Sequence, residues 1–160
     1  MASSSRTSHD THLPRSTVLV VDDNPQNVEL IQAYLEGLNC VTEVAVDGVD
    51  ALTKVPQINP DLILLDIMMP RMSGFEVCRR LKADSRYHDI PILMVTALNE
   101  LGDIERGIES GTDDFLSKPI NKLELLTRVK SLLRVRHLKN QLERTLAYLN
   151  EIESSDSHRR

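Results

Sequence analysis

Leu62-Ile63-Leu64-Leu65-Asp66, running into Ile67-Met68-Met69-Pro70-Arg71-Met72-Ser73-Gly74, decides how this chain folds. Four consecutive apolar residues are too few for a helix, and they lack the alternation of a half-exposed strand. They read as a short strand buried on both faces, the kind that parallel sheets use. Pro70 and Gly74 end the run, so Asp66 stands at the carboxyl edge of a sheet. Open α/β folds bind their ligands at that edge.

The same grammar recurs to either side. Thr17-Val18-Leu19-Val20-Val21 is a short apolar run ending in Asp22-Asp23-Asn24-Pro25, which supplies helix caps and a proline suited to a first helical turn. A helix from about Gln26 to Glu36 follows, with Val28, Ile31 and Leu35 on one face and Gly37 to stop it. Strands are expected at Cys40 to Ala45, Asp61 to Leu65, Ile90 to Val95 and Asp113 to Leu116. Between them lie helices at Gly48 to about Val55, Phe75 to Ala83 and Leu101 to about Ser110, with Pro56 and Pro60 bracketing the return to the central strand. Five continuous apolar strands alternating with helices predict a doubly wound five-stranded parallel sheet of the α/β class, flavodoxin-like, with right-handed crossovers.

Bulk properties narrow the function classes. With 160 residues the chain suits one domain and an appendage. A net charge of -5 offers no basic stripe, so nucleic acid is not an expected direct partner. Cys40 and Cys78 stand far apart without metal-site spacing, and His9, His12, His88, His137 and His158 form no cluster. No apolar run approaches a membrane span and the N-terminus has no signal-like stretch, so a soluble, cytoplasmic protein is expected. Residues 1–15, polar and closed by Pro14, are expected to be disordered, residues 16–134 to form the domain, 135–153 a helical extension and 154–160 a disordered tail.

In the expected topology every strand ends on one edge, which brings Asp22, Asp23, Asp66, Thr96 and Lys118 into one crevice. Alone, each has a plain structural role: the three residues Asp22, Asp23 and Asn24 can cap a helix, Asp66 can cap or turn, and Thr96 and Lys118 suit a strand end and a solvated surface. Together they have chemistry. Converging carboxylates repel one another unless a hard divalent cation offsets their charge, and magnesium is the expected ion. A carboxylate beside such an ion is a nucleophile able to take a phosphoryl group, with Lys118 and the Thr96 hydroxyl placed to stabilise it.

Five fragments, Val20-Val21-Asp22-Asp23-Asn24, Leu64-Leu65-Asp66-Ile67-Met68-Met69-Pro70, Met72-Ser73-Gly74, Val95-Thr96-Ala97 and Phe115-Leu116-Ser117-Lys118-Pro119, each fall at an expected strand end or in the adjoining loop. Through them the chain, from about Thr17 to Arg134, resembles a response-regulator receiver domain of two-component signalling. The resemblance implies that Asp66 accepts phosphate from a sensor histidine kinase or histidine phosphotransfer protein. It implies Asp22, Asp23, Asp66 and the Met68 backbone carbonyl around magnesium, and Lys118, Thr96 and Ala97 around the phosphoryl group. It further implies a switch through Thr96 and Phe115 that remodels the face of helix four, strand five and helix five, and a cis Lys118-Pro119 bond. Met68 and Leu98 flank the path of an attacking water, and both are apolar, which predicts a long-lived phosphoryl group.

The last helix starts near Asn121 and meets no breaker before about Ser154. Leu126, Val129 and Leu133 suit packing on the sheet. Val135, Leu138, Leu142, Thr145, Leu149 and Ile152 then repeat at alternating three- and four-residue spacing, a coiled-coil seam suited to a homodimer. Receivers with such tails resemble those that feed diguanylate cyclase or other output domains. Two rival readings of the chain are a magnesium-dependent aspartyl phosphohydrolase and a phosphate-independent scaffold. Met68 stands where such a phosphatase usually carries a second acid, which disfavours the hydrolase.

Overall fold

The computed structural model describes residues 13–97 and 101–159. Ten elements alternate: β1 (Ser16–Val21), α1 (Pro25–Leu35), β2 (Cys40–Ala45), α2 (Gly48–Ile58), β3 (Leu62–Asp66), α3 (Gly74–Ala83), β4 (Ile92–Thr96), α4 (Leu101–Ser110), β5 (Asp114–Ser117) and α5 (Lys122–Ser157). The sheet is wholly parallel with strand order β2-β1-β3-β4-β5. The expected doubly wound α/β fold is therefore the observed one, with β3 at its centre.

Strand alternation divides the core into two layers. Leu19, Val21, Ile63, Leu65, Ile92 and Met94 face one side, where Ala51 and Val55 of α2 and Phe75, Cys78 and Leu81 of α3 cover them. Val18, Val20, Leu62, Leu64, Leu93 and Val95 face the other, under Val28, Ile31 and Leu35 of α1 and Leu125, Val129 and Leu133 of α5. Burying each of these leucines and isoleucines stabilises the fold by about 1.5–3 kcal/mol, enough that one missing element would expose the sheet.

The differences from the sequence reading lie at element ends. β3, β4 and β5 each begin one or two residues later than expected and each ends one residue later, on Asp66, Thr96 and Ser117. Asp66 and Thr96 thus remain inside the ladder, paired with Val95 and Ser117. α2 runs through Pro56 to Ile58 and closes on Asn59 in the left-handed region, with φ 49°. A proline so near the end disturbs only the last turn, and Asn tolerates the left-handed cap. On α5 it is Leu125, not Leu126, that joins Val129 and Leu133 as fully buried, Leu126 being partly covered. A four-residue step from Leu125 to Val129 to Leu133 keeps one face on the sheet. α5 also continues past Ser154 to Ser157, with Ser155 and Ser157 hydroxyls donating back to Glu151 and Ser154 carbonyls. The expected disordered lead-in falls mainly on residues 1–12, outside the described residues. Among the described residues no helix is long and apolar enough to cross a membrane.

Candidate functional site

Asp22 follows β1 directly, and its backbone N–H still donates to the Ala45 carbonyl, at 3.1 Å, so the residue is held by the sheet. Its Oδ1 accepts from the Asn24 N–H at 2.8 Å, while Asn24 caps α1 by accepting from Gln26. The capping and acidic roles foreseen for this segment coexist. Asp22 Oδ2 is buried and makes no hydrogen bond, and its nearest cation is Lys118 Nζ at 3.7 Å.

Asp66, the last residue of β3, is 4 % exposed. Its Oδ1 accepts from the Met68 N–H at 3.3 Å and from Lys118 Nζ at 3.4 Å. The loop that follows is tightly folded: the Gly74 N–H returns to the Ile67 carbonyl at 3.0 Å, and a β-carbon on Gly74 would come within 2.9 Å of Ile67 Cα and overlap the Asp66 carbonyl. Only glycine admits this approach of α3 to the end of β3. Ser73 caps α3 by accepting from Glu76.

Thr96 closes β4 and is buried, and its carbonyl accepts the Lys118 N–H at 2.8 Å. That bond fixes the β5–α5 loop beside the site, and the Lys118–Pro119 peptide within it is cis. Ala97 lies exposed immediately beyond Thr96. The structure therefore brings Asp22, Asp23, Asp66, Thr96 and Lys118 to one edge. Met68, two residues beyond Asp66, is 62 % exposed. Leu98 lies outside the described residues.

The electrostatics show strain among the acids. Burial, and then the Asp22 charge, push the Asp66 carboxyl above its ordinary range, against the opposing pull of Lys118 and the Met68 N–H. One oxygen each from Asp22, Asp23 and Asp66 lie within 4.8 Å of one another. An all-carboxylate donor set, together with the unbonded buried oxygen of Asp22, fits a hard divalent cation of the magnesium type. Asp23 is exposed, which keeps the cluster open to solvent.

Two features escaped the sequence. Arg106 of α4 stacks on Phe75 with its guanidinium carbon 4.5 Å from the ring centroid, and both line an open cleft of about 500 Å³ with Met68 and Pro70. Lys82, 17 % exposed, donates to the His88 and Ile90 carbonyls and to Asp113, and so ties α3 to the start of β5. Nothing in their spacing marks either residue, because both contacts join segments far apart in the chain. On α5, Val135, Leu138, Leu142, Leu149 and Ile152 stand exposed beside Thr145, and Leu146 and Tyr148, which the seam reading omits, are exposed with them.

The family profile described as response regulator receiver domain matches residues 18–130. The DNA-binding dual master transcriptional regulator RpaA of Synechocystis is 44 % identical over 122 residues, covering 76 % of this chain and 50 % of that protein. Response regulator PleD of Caulobacter vibrioides is 46 % identical over 125 residues, covering 78 % of this chain and 28 % of that protein. The chain thus spans half or less of the length of these curated relatives. Among solved structures, chemotaxis protein CheY4 of Vibrio cholerae superposes with a TM-score of 0.70 at 31 % identity, over 74 % of this chain and 98 % of that one. A response regulator from Chloroflexus aurantiacus described as putative gives 0.72 at 32 % identity, over 75 % and 98 %.

Proposed function

This chain belongs to the response regulator receiver family, whose domains act as signalling switches, and on that premise we propose that Asp66 is its phosphoryl acceptor. The donor is a phosphohistidine on a sensor kinase or phosphotransfer protein. A carboxylate oxygen of Asp66 attacks phosphorus, the P–N bond breaks, and its electron pair returns to the departing imidazole, leaving an acyl phosphate. The observation that carries this reading is the placement of Lys118 Nζ 3.4 Å from Asp66 Oδ1 at the open edge of the sheet.

Asp22, Asp23, Asp66 and the Met68 carbonyl would hold magnesium. When bound, the ion supplies positive charge against the phosphoryl oxygens. Lys118 supplies a second positive charge, the Thr96 hydroxyl a hydrogen-bond donor, and the backbone at Ala97 and Met68 further N–H groups. Drawing Thr96 toward the phosphoryl group frees space near Phe115, which lacks a hydroxyl and is held by packing alone; the face made by α4, β5 and α5 then remodels. Met68 and Leu98 cannot orient a water for attack, so the acyl phosphate is long-lived. The seam Val135, Leu138, Leu142, Thr145, Leu149 and Ile152 pairs two copies of the chain, or passes the signal to an output domain or partner.

Incubation with acetyl phosphate and magnesium, followed by intact mass, tests the reading. A single lasting phosphoryl adduct, absent from Asp66→Asn, is the expected result. Continuous release of phosphate without an adduct would indicate a phosphohydrolase instead, and no adduct under any donor or metal condition would indicate a scaffold.

A further inference from the structure

Charge is segregated along the exposed part of α5. From Arg134 to Arg144 the helix carries Arg134, Arg136, Lys139 and Arg144 against the single acid Glu143. From Thr145 to Ser157 it carries Glu151, Glu153 and Asp156 and no Lys or Arg. The apolar stripe runs through both halves, with Leu138 61 %, Leu142 59 % and Leu149 49 % exposed.

We infer that this stripe binds the same helix of a second copy in antiparallel orientation, an assignment that rests on the dimer reading above and adds its geometry. In heptad terms Val135, Leu142 and Leu149 take the a positions and Leu138, Thr145 and Ile152 the d positions. Parallel pairing then sets Arg134, at g, against the partner's Lys139, at e, and lays basic half on basic half and acidic half on acidic half. Antiparallel pairing lays opposite charges together along the whole length. Val135 meets the partner's Ile152, Leu138 meets the partner's Leu149, and Leu142 meets the partner's Thr145. Lys139 comes within side-chain reach of the partner's Glu153 along the same flank.

One detail of the molecule suits burial of this seam in either orientation, and a second favours the antiparallel one. The Thr145 hydroxyl donates to the Gln141 carbonyl at 3.0 Å, so burying Thr145 in the seam leaves no unpaired donor. At the base of α5 a groove of about 760 Å³, lined by Leu13, Leu138 and the charged residues Arg15, Arg134, Arg144 and Asp61, adjoins the seam through Leu138, three arginines against one acid. Antiparallel pairing carries the partner's Glu151, Glu153 and Asp156 to the height of this basic groove. Each copy supplies the groove and the acidic end once, as a two-fold axis requires.

Light scattering, with and without acetyl phosphate and magnesium, first establishes whether the chain dimerises; a monomer at the highest soluble concentration in both states overturns the dimer reading and the orientation together. Zero-length carbodiimide cross-linking of the native dimer is expected to join the Lys139 peptide to the Glu153 peptide. Within one helix those residues lie about 21 Å apart, so that link can form only between antiparallel copies. Lys139→Glu is expected to raise the dimer dissociation constant by about three- to tenfold at low salt, and Lys139→Glu with Glu153→Lys to restore it. A dimer that Lys139→Glu tightens, and that gives no such cross-link, is parallel and overturns the orientation while leaving the dimer standing.

Discussion

Gly107 of α4 leaves the space that the Phe115 ring of β5 occupies: a β-carbon at position 107 would overlap the ring. Phe115 in turn packs against the core layer of α2 and α3. The aromatic side chain of the proposed switch is thus held by the absence of a methyl group on the neighbouring helix.

Gly107→Ala is therefore expected to destabilise the protein by about 1–3 kcal/mol, although alanine is the better helix former. In a Phe115→Ala background the same change should be neutral or stabilising. A double-mutant cycle by urea unfolding measures the coupling, and equal effects in the two backgrounds would refute it.

Asp66→Asn should stabilise the metal-free protein at neutral pH. Burial and Asp22 raise the Asp66 carboxyl above its ordinary range. A raised acid contributes stability below its unfolded pKa and loses it as the pH climbs through the raised folded value. The melting temperature of the variant should exceed that of the native chain by about 2–4 °C for each kcal/mol relieved, and the gap should close toward acid pH. Calorimetry in chelator across that range reads both signs.

Magnesium should raise the melting temperature of the native protein in proportion to the logarithm of its concentration. Asp22→Ala should abolish the rise, because Asp22 contributes the buried oxygen that no hydrogen bond satisfies. An undiminished magnesium shift in that variant would remove Asp22 from the metal site.

Asp113 accepts from the Ile92 N–H at 2.7 Å and from Lys82 Nζ at 2.8 Å, joining β4, α3 and the entry to β5. Asp113→Ala is expected to cost about 1–3 kcal/mol by leaving the Ile92 N–H without its acceptor and Lys82 with only the His88 and Ile90 carbonyls in place of a carboxylate. Faster hydrogen exchange at the Ile92 amide would locate the loss.

What the sequence reveals and conceals follows from the range of the interactions. Continuous apolar runs such as Leu62 to Leu65 announce buried strands because both faces of a parallel sheet need covering, and an acid at the end of such a run is placed by topology alone. The convergence of Asp22, Asp66 and Lys118 was legible for that reason. Lys82–Asp113, Arg106–Phe75 and Gly107–Phe115 were not, since each depends on how two helices or a helix and a strand approach one another. The continuation of α2 through Pro56 was concealed for the opposite reason. Proline's local cost is plain in the sequence, but the packing of Ala51 and Val55 that outweighs it is not.

α5 runs without a break from Lys122 to Ser157, and its first three turns bury Leu125, Val129 and Leu133 on the sheet. The His137 ring is hydrogen-bonded to the Ser16 hydroxyl of β1 at 2.8 Å, so the stiff portion beyond His137 acts as a lever arm with its fulcrum there. The arm is about 30 Å long, and a tilt of about 5° at the fulcrum swings its tip by about 2.6 Å. On the proposed switch, a rearrangement no larger than a side-chain rotamer at Phe115 would be amplified, without any new contact, into a displacement of the end of α5.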